Sequence, residues 1–79
     1  MDTKARIREF VSRHLGGYDL RDDEDIFATA YVNSMFAMQL VQFMETAFGF
    51  EVESEDMELE NFRSIDALEA LARRKTVPA

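Results

Sequence analysis

The chain has no cysteine and no tryptophan, a single histidine, one proline and three glycines among 79 residues. Without cysteine there are no disulfides and no thiolate metal sites. With His14 as the only imidazole and no glycine-rich run to cradle a phosphate, the usual nucleophile and acid–base sets lack their parts. Basic residues are also scarce: nine Lys and Arg against sixteen Asp and Glu leave a formal net charge of −7. That charge repels nucleic acid phosphates and anionic lipid, and it steers the protein toward positive surfaces on other proteins. No apolar run approaches the about 18 residues that a membrane span needs, and Met1-Asp2-Thr3-Lys4 does not open a signal peptide. A cytoplasmic, monomeric protein that binds neither nucleic acid nor membrane is expected.

A chain of this length is one domain, residues 1–79, with a folded part from about 3 to 74 and a tail over 75–79. Its core supplies only about 3–5 kcal/mol, so local helix formation has to contribute much of the order. Ile7, Phe10, Val11 and Leu15 recur at helical spacing until Gly16-Gly17, which predicts a first helix over Thr3–Leu15. Residues 16–32 then read as a long loop, anchored by Leu20, Ile26, Phe27 and Val32 and carrying the acidic run Asp22-Asp23-Glu24-Asp25. From Ser34 to Phe48 the broad apolar face of Met35, Met38, Leu40, Val41, Phe43, Met44, Ala47 and Phe48 predicts a second, central helix, with Gln39, Gln42 and Glu45 toward solvent.

Phe50-Glu51-Val52-Glu53 alternates like a strand but has no partner strand, so an extended linker is expected. Ser54 with Glu55 and Asp56 reads as the capped start of a short helix that buries Met57 and Leu59 and ends near Asn61 or Phe62. Ser64 caps a last helix with Asp66 in its first turn, core positions Ile65, Leu68, Leu71 and Ala72, and Arg73, Arg74 and Lys75 at its end. The fold class is all-α: a small four-helix bundle of three longer helices and one short one, with a long loop between helices one and two.

Few residues are placed to carry chemistry. His14 stands where a protonated imidazole suits the end of a helix. Asp19, Asp23 and Asp25 offer oxygen ligands, but the loop lacks the mid-loop glycine and bidentate glutamate of an EF-hand. No metal site is expected. Met35, Met38 and Met44 at helical spacing read as core filling. Ser34 remains, at the junction of the long loop and the most apolar helix, where free backbone N–H groups and the helix dipole favour a negative group. Local physics leaves a second reading open, in which Asn33 or Ser34 is simply the helix cap.

The segment from Tyr31 to Phe50, with Asn33-Ser34-Met35 opening a helix and Glu45, Phe48, Glu51 and Glu53 trailing it, resembles the phosphopantetheine attachment region of acyl carrier proteins. Asn61-Phe62-Arg63-Ser64-Ile65-Asp66-Ala67-Leu68 resembles that family's entry into its last helix. The resemblance extends to helix order and to the long first loop. It implies that Ser34 receives 4'-phosphopantetheine from coenzyme A through a phosphopantetheinyl transferase. The thiol of that arm would then carry an acyl thioester among acyl-loading, tailoring and acyltransferase or synthase enzymes, the carrier itself contributing no catalytic residue.

The chain departs from the family pattern in two places. Asn33 stands where the family has Asp, which removes a charge beside the attachment point while retaining a residue that caps helices well. The second helix is also less acidic than in fatty-acid carriers, so docking would rest on Asn33, Met35, Phe36, Gln39 and shape. Val32-Asn33-Ser34 followed by Phe36-Ala37-Met38-Gln39-Leu40-Val41 looks like the stand-alone carriers of polyketide clusters that assemble methoxymalonyl or aminomalonyl units. The core could open between the second and third helices to shelter a hydrophobic cargo, whereas a malonyl-type unit would gain little there. An aminoacyl or peptidyl carrier of nonribosomal peptide assembly uses the same fold and arm. A small helical interaction module without a prosthetic group, docking through an exposed Phe36, is the reading from another class.

Overall fold

In the computed structural model, which describes residues 2–17, 19–29 and 34–76, the elements in order are α1 (Thr3–His14), α2 (Ile26–Thr29), α3 (Ser34–Phe48), a single 3-10 turn (Ser54–Asp56), α4 (Leu59–Phe62) and α5 (Ile65–Thr76). No strand occurs among the described residues. The protein is a small helical bundle of three long and two short helices.

Asp2 starts α1 by accepting the Ala5 N–H on its carboxylate at 2.7 Å, which satisfies one of the orphan donors of the first turn. The helix ends at Gly16, which takes the left-handed conformation (φ 69°). Gly17 N–H then donates to the Ser12 carbonyl at 2.8 Å and Gly16 N–H to Arg13 at 3.3 Å, the paired 6→1 and 5→2 bonds of a Schellman ending. Gly49 closes α3 in the same left-handed region (φ 71°), donating to the Glu45 carbonyl at 2.9 Å.

The core draws on every helix and on the loop, but not on the 3-10 turn. Ile7 and Val11 come from α1, Leu20 from the loop, Ile26 from α2, Phe36, Leu40 and Met44 from α3, Phe62 from α4, and Ile65, Leu68, Leu71 and Ala72 from α5. Spacings of three and four place each helix's set on one face. Burial of these side chains is the main force holding three helices together in a chain with no covalent staple.

The loop between α1 and α3 is more structured than the sequence predicts. Asp25 accepts the N–H groups of Phe27 at 2.9 Å and Ala28 at 3.1 Å, which caps α2. Ile26 N–H donates to the Arg63 carbonyl at 2.6 Å, and Asp66 N–H donates to the Asp22 carbonyl at 2.9 Å. The loop and the α4–α5 junction thus satisfy each other's backbone groups.

The third-helix region also differs from expectation. Ser54 does not open a continuous helix: the chain makes one 3-10 turn after Glu53, whose N–H donates to the Asp56 carboxylate at 3.0 Å, and restarts helix at Leu59. Met57 and Leu59, expected in the core, are 52% and 59% exposed. A three-residue turn has no lasting face to bury, and the core beneath it is already filled by Phe62 and Phe50. Phe50-Glu51-Val52-Glu53 is a linker outside any helix, with Glu53 extended, Phe50 buried and the Val52 N–H donating to Glu45 at 2.8 Å. The last helix continues through Thr76, past the expected limit of the folded part. Ser64 caps it as expected, its hydroxyl accepting the Ala67 N–H at 3.0 Å.

Candidate functional site

Ser34 is the first residue of the 15-residue helix α3. The first-turn N–H groups of a helix have no intrahelical acceptor, and the helix dipole places partial positive charge there, so an anionic group is stabilised at this end. Asn33, the expected cap and docking residue beside it, lies outside the described residues.

Burial of Phe36, Leu40 and Met44 at i, i+4 and i+8 sets the rotation of α3. That rotation leaves Met35 (68% exposed) and Met38 (54% exposed) in solvent beside exposed Gln39 and Gln42. Two expectations are corrected here. Met35 and Met38 do not fill the core; of the methionines in α3 only Met44 does. Phe36 is not an exposed docking residue: it is buried, with its ring stacked 6.4 Å from Phe10 and tilted against His14 at 5.6 Å. The physical reason is that α3 is apolar around most of its circumference, so periodicity alone leaves the inward arc open. The positions of α1 and α5 select it.

Ala37 and Val41, spaced i and i+4, share one face of α3. Ala37 and Val41 form one wall of an open groove of about 250 Å³. Phe27 and Phe62 line the groove as well, and the Met57–Leu59 segment forms its other wall. That wall is held in place by α5: Lys75 lies 2.8 Å from the Asp56 carboxylate, and Arg74 donates to Asn61 at 2.9 Å. The Lys75 ammonium beside Asp56 holds that carboxyl below its ordinary value, and the same contact raises Lys75. Among the described residues, Glu58 is the one charged residue lining the groove. The groove lies between α3 and the third-helix region, and Phe27, a loop anchor in the sequence, joins its lining.

His14 ends α1, with Nδ1 3.0 Å from the Phe10 carbonyl and its ring 4.2 Å from the Phe10 ring. It serves the packing of α1 on α3. The acidic loop residues diverge. Asp25 caps α2, Asp22 receives Arg8 and lies 3.5 Å from Lys4, and Asp23 lies 3.7 Å from Arg21.

Compared with known proteins, the chain matches no family model, no curated protein and no solved structure. No helix among the described residues is long and apolar enough to cross a membrane.

Proposed function

We propose that the protein is an acyl carrier protein that holds an acyl group on 4'-phosphopantetheine attached to Ser34. The observation that carries this reading is the position of Ser34 as the first residue of α3, the helix whose Ala37 and Val41 line an apolar groove. A phosphodiester on Ser34 would sit among the first-turn N–H groups, whose partial positive charge suits it. The bound group would supply the thiol that forms the acyl thioester. Met35, next to Ser34, and Gln39, one turn beyond Met35, are exposed and available to an enzyme that receives the arm. Met38, beside Gln39, is exposed as well.

The likeness to stand-alone polyketide carriers extends the proposal to a malonyl-type cargo. Glu58 would repel the free carboxylate of such a unit, so the cargo would stay outside the groove rather than settle in it. The partners would be a phosphopantetheinyl transferase and the enzymes that load, tailor and remove the acyl group. The test is incubation with coenzyme A and broad-specificity transferases, followed by intact-mass measurement and peptide mapping. A gain of one phosphopantetheinyl group on Ser34 is expected; no gain with several transferases would leave the protein a helical interaction module.

A further inference from the structure

Charge and exposed apolar surface are divided between the two flanks of α3. On one flank, α1 and α3 enclose a groove floored by Phe10 and Phe43, whose rings stack with centroids 4.2 Å apart. It consists of two adjoining hollows of about 130 and 370 Å³, the first walled by Arg6, Glu9 and Arg13, the second by His14, Gln42 and their neighbours. In a chain of net charge −7, α1 carries Lys4, Arg6, Arg8 and Arg13 against Glu9 alone. Lys4 and Arg8 pair with the loop and α5. Arg6 lies 4.9 Å over the Phe48 ring and Arg13 lies 2.7 Å from Glu9, so both guanidinium groups stand at the groove's rim.

The opposite flank is the reverse. Residues 51–60 hold six acids and no basic residue, and between Glu55 and Glu60 the side chains of Met57 and Leu59 are 52% and 59% exposed. Phe43 and Gln42 line the first groove while Ala37 and Val41 line the second, so α3 stands between the two surfaces. They cannot meet within one molecule.

We propose that the groove between α1 and α3 receives the acidic Met57–Leu59 segment of a second copy of this chain. Met57 and Leu59 supply apolar side chains to the Phe10–Phe43 floor, where a thioether makes favourable contacts with aromatic rings. Glu58 and Glu60 supply the charges that match Arg6 and Arg13. The two surfaces differ, so the contact is head to tail and propagates instead of closing as a two-fold dimer. It is also small, at the low end of interface sizes, and the like net charge of the copies opposes it, so it forms only at high concentration. Gln39 lines the second hollow, so a second copy and an enzyme docked at Gln39 would compete, but the inference rests on the charge and shape of the groove and needs no prosthetic group on Ser34.

Sedimentation equilibrium of the full chain from about 20 µM to about 1 mM decides it. The weight-average mass is expected to rise from 9.1 kDa with concentration and to pass the dimer value without a plateau. The exposed-site variants Arg6→Glu/Arg13→Glu and Glu58→Lys/Glu60→Lys are each expected to stay monomeric, with unchanged helical circular dichroism. An equimolar mixture of the two should associate again, because each restores the other's complement. Met57→Gln/Leu59→Gln should also stay monomeric. A constant monomer mass for the unaltered chain, or association of either charge-reversed variant alone to the unaltered extent, would overturn the proposal.

Discussion

The Lys4 ammonium lies 2.9 Å from the Asp66 carboxylate, joining the first turn of α1 to the first turn of α5. Asp22 of the loop lies 3.5 Å from the same ammonium and also receives Arg8, which donates to the Leu20 carbonyl as well. A second tie, Lys75 with Asp56, holds the other end of α5. Each pair is solvent-accessible and weak alone, but together they position the segments that bound α3.

Acid should loosen these ties. Arg8 holds the Asp22 carboxyl below its ordinary value, and Lys75 does the same for Asp56. The folded state therefore binds these protons less readily than the unfolded chain. Their contribution is present above about pH 4 and is lost as pH falls through the lowered values. Lys4 and Lys75 are raised by Asp66 and Asp56, so their share is present below about pH 10.5 and is lost at higher pH. Urea denaturation at pH 7 and pH 3 should show the fall. Arg8→Met should lower stability at pH 7 and shrink the difference between the two pH values; an undiminished difference would assign the acid sensitivity elsewhere.

Met44 and Met38 share a helix and should behave oppositely. Met44 is fully buried, and Met44→Ala is expected to cost about 2–5 kcal/mol. Met38 is 54% exposed, and Met38→Ala should stay within about 0.5 kcal/mol. Chemical denaturation of both variants checks the rotation of α3; equal losses would contradict it.

Phe36→Ala is a core lesion, expected to cost about 3–5 kcal/mol, enough to unfold much of a domain this small. Met35→Ala and Gln39→Ala should leave the denaturation midpoint almost unchanged while slowing transfer of the phosphopantetheinyl group, measured as mass gain against time. Unaltered transfer in both would remove these side chains from partner docking.

Ser64→Ala should cost about 0.5–2 kcal/mol, because the Ala67 N–H loses its acceptor at the start of the helix that carries Leu68 and Leu71. Ser64→Asp, which keeps an acceptor and adds charge at the favourable end, should recover part of the loss. Thermal melts of the two variants make the comparison.

Ser34→Ala is expected to abolish the mass gain from coenzyme A while retaining the helical circular dichroism spectrum. A variant that still gains the group would place the attachment on another residue.

Much of this was legible in the sequence because it depends on neighbours along the chain. Gly16-Gly17 ends α1 through bonds to Ser12 and Arg13, Ser64 caps α5 through Ala67, and Gly49 ends α3 on Glu45. The limits of α3 and its place after a long loop follow from apolar periodicity and from where it stops. The loop was the harder segment. Asp25 and Phe27 form a cap of only two residues' span, but the bond from Ile26 to Arg63 crosses 37 positions and has no local signature.

The sequence by itself determined the three long helices, closely where each starts and stops, and the position of Ser34 at the start of the most apolar one, since caps, glycines and apolar spacing act within a few residues. Only the tertiary structure decided which arc of α3 faces inward, burying Phe36 and releasing Met35 and Met38. It also decided that Met57 and Leu59 line a groove instead of filling the core. Those outcomes depend on where α1 and α5 lie against α3, and a helix that is apolar on most sides carries no internal record of which neighbour will cover it.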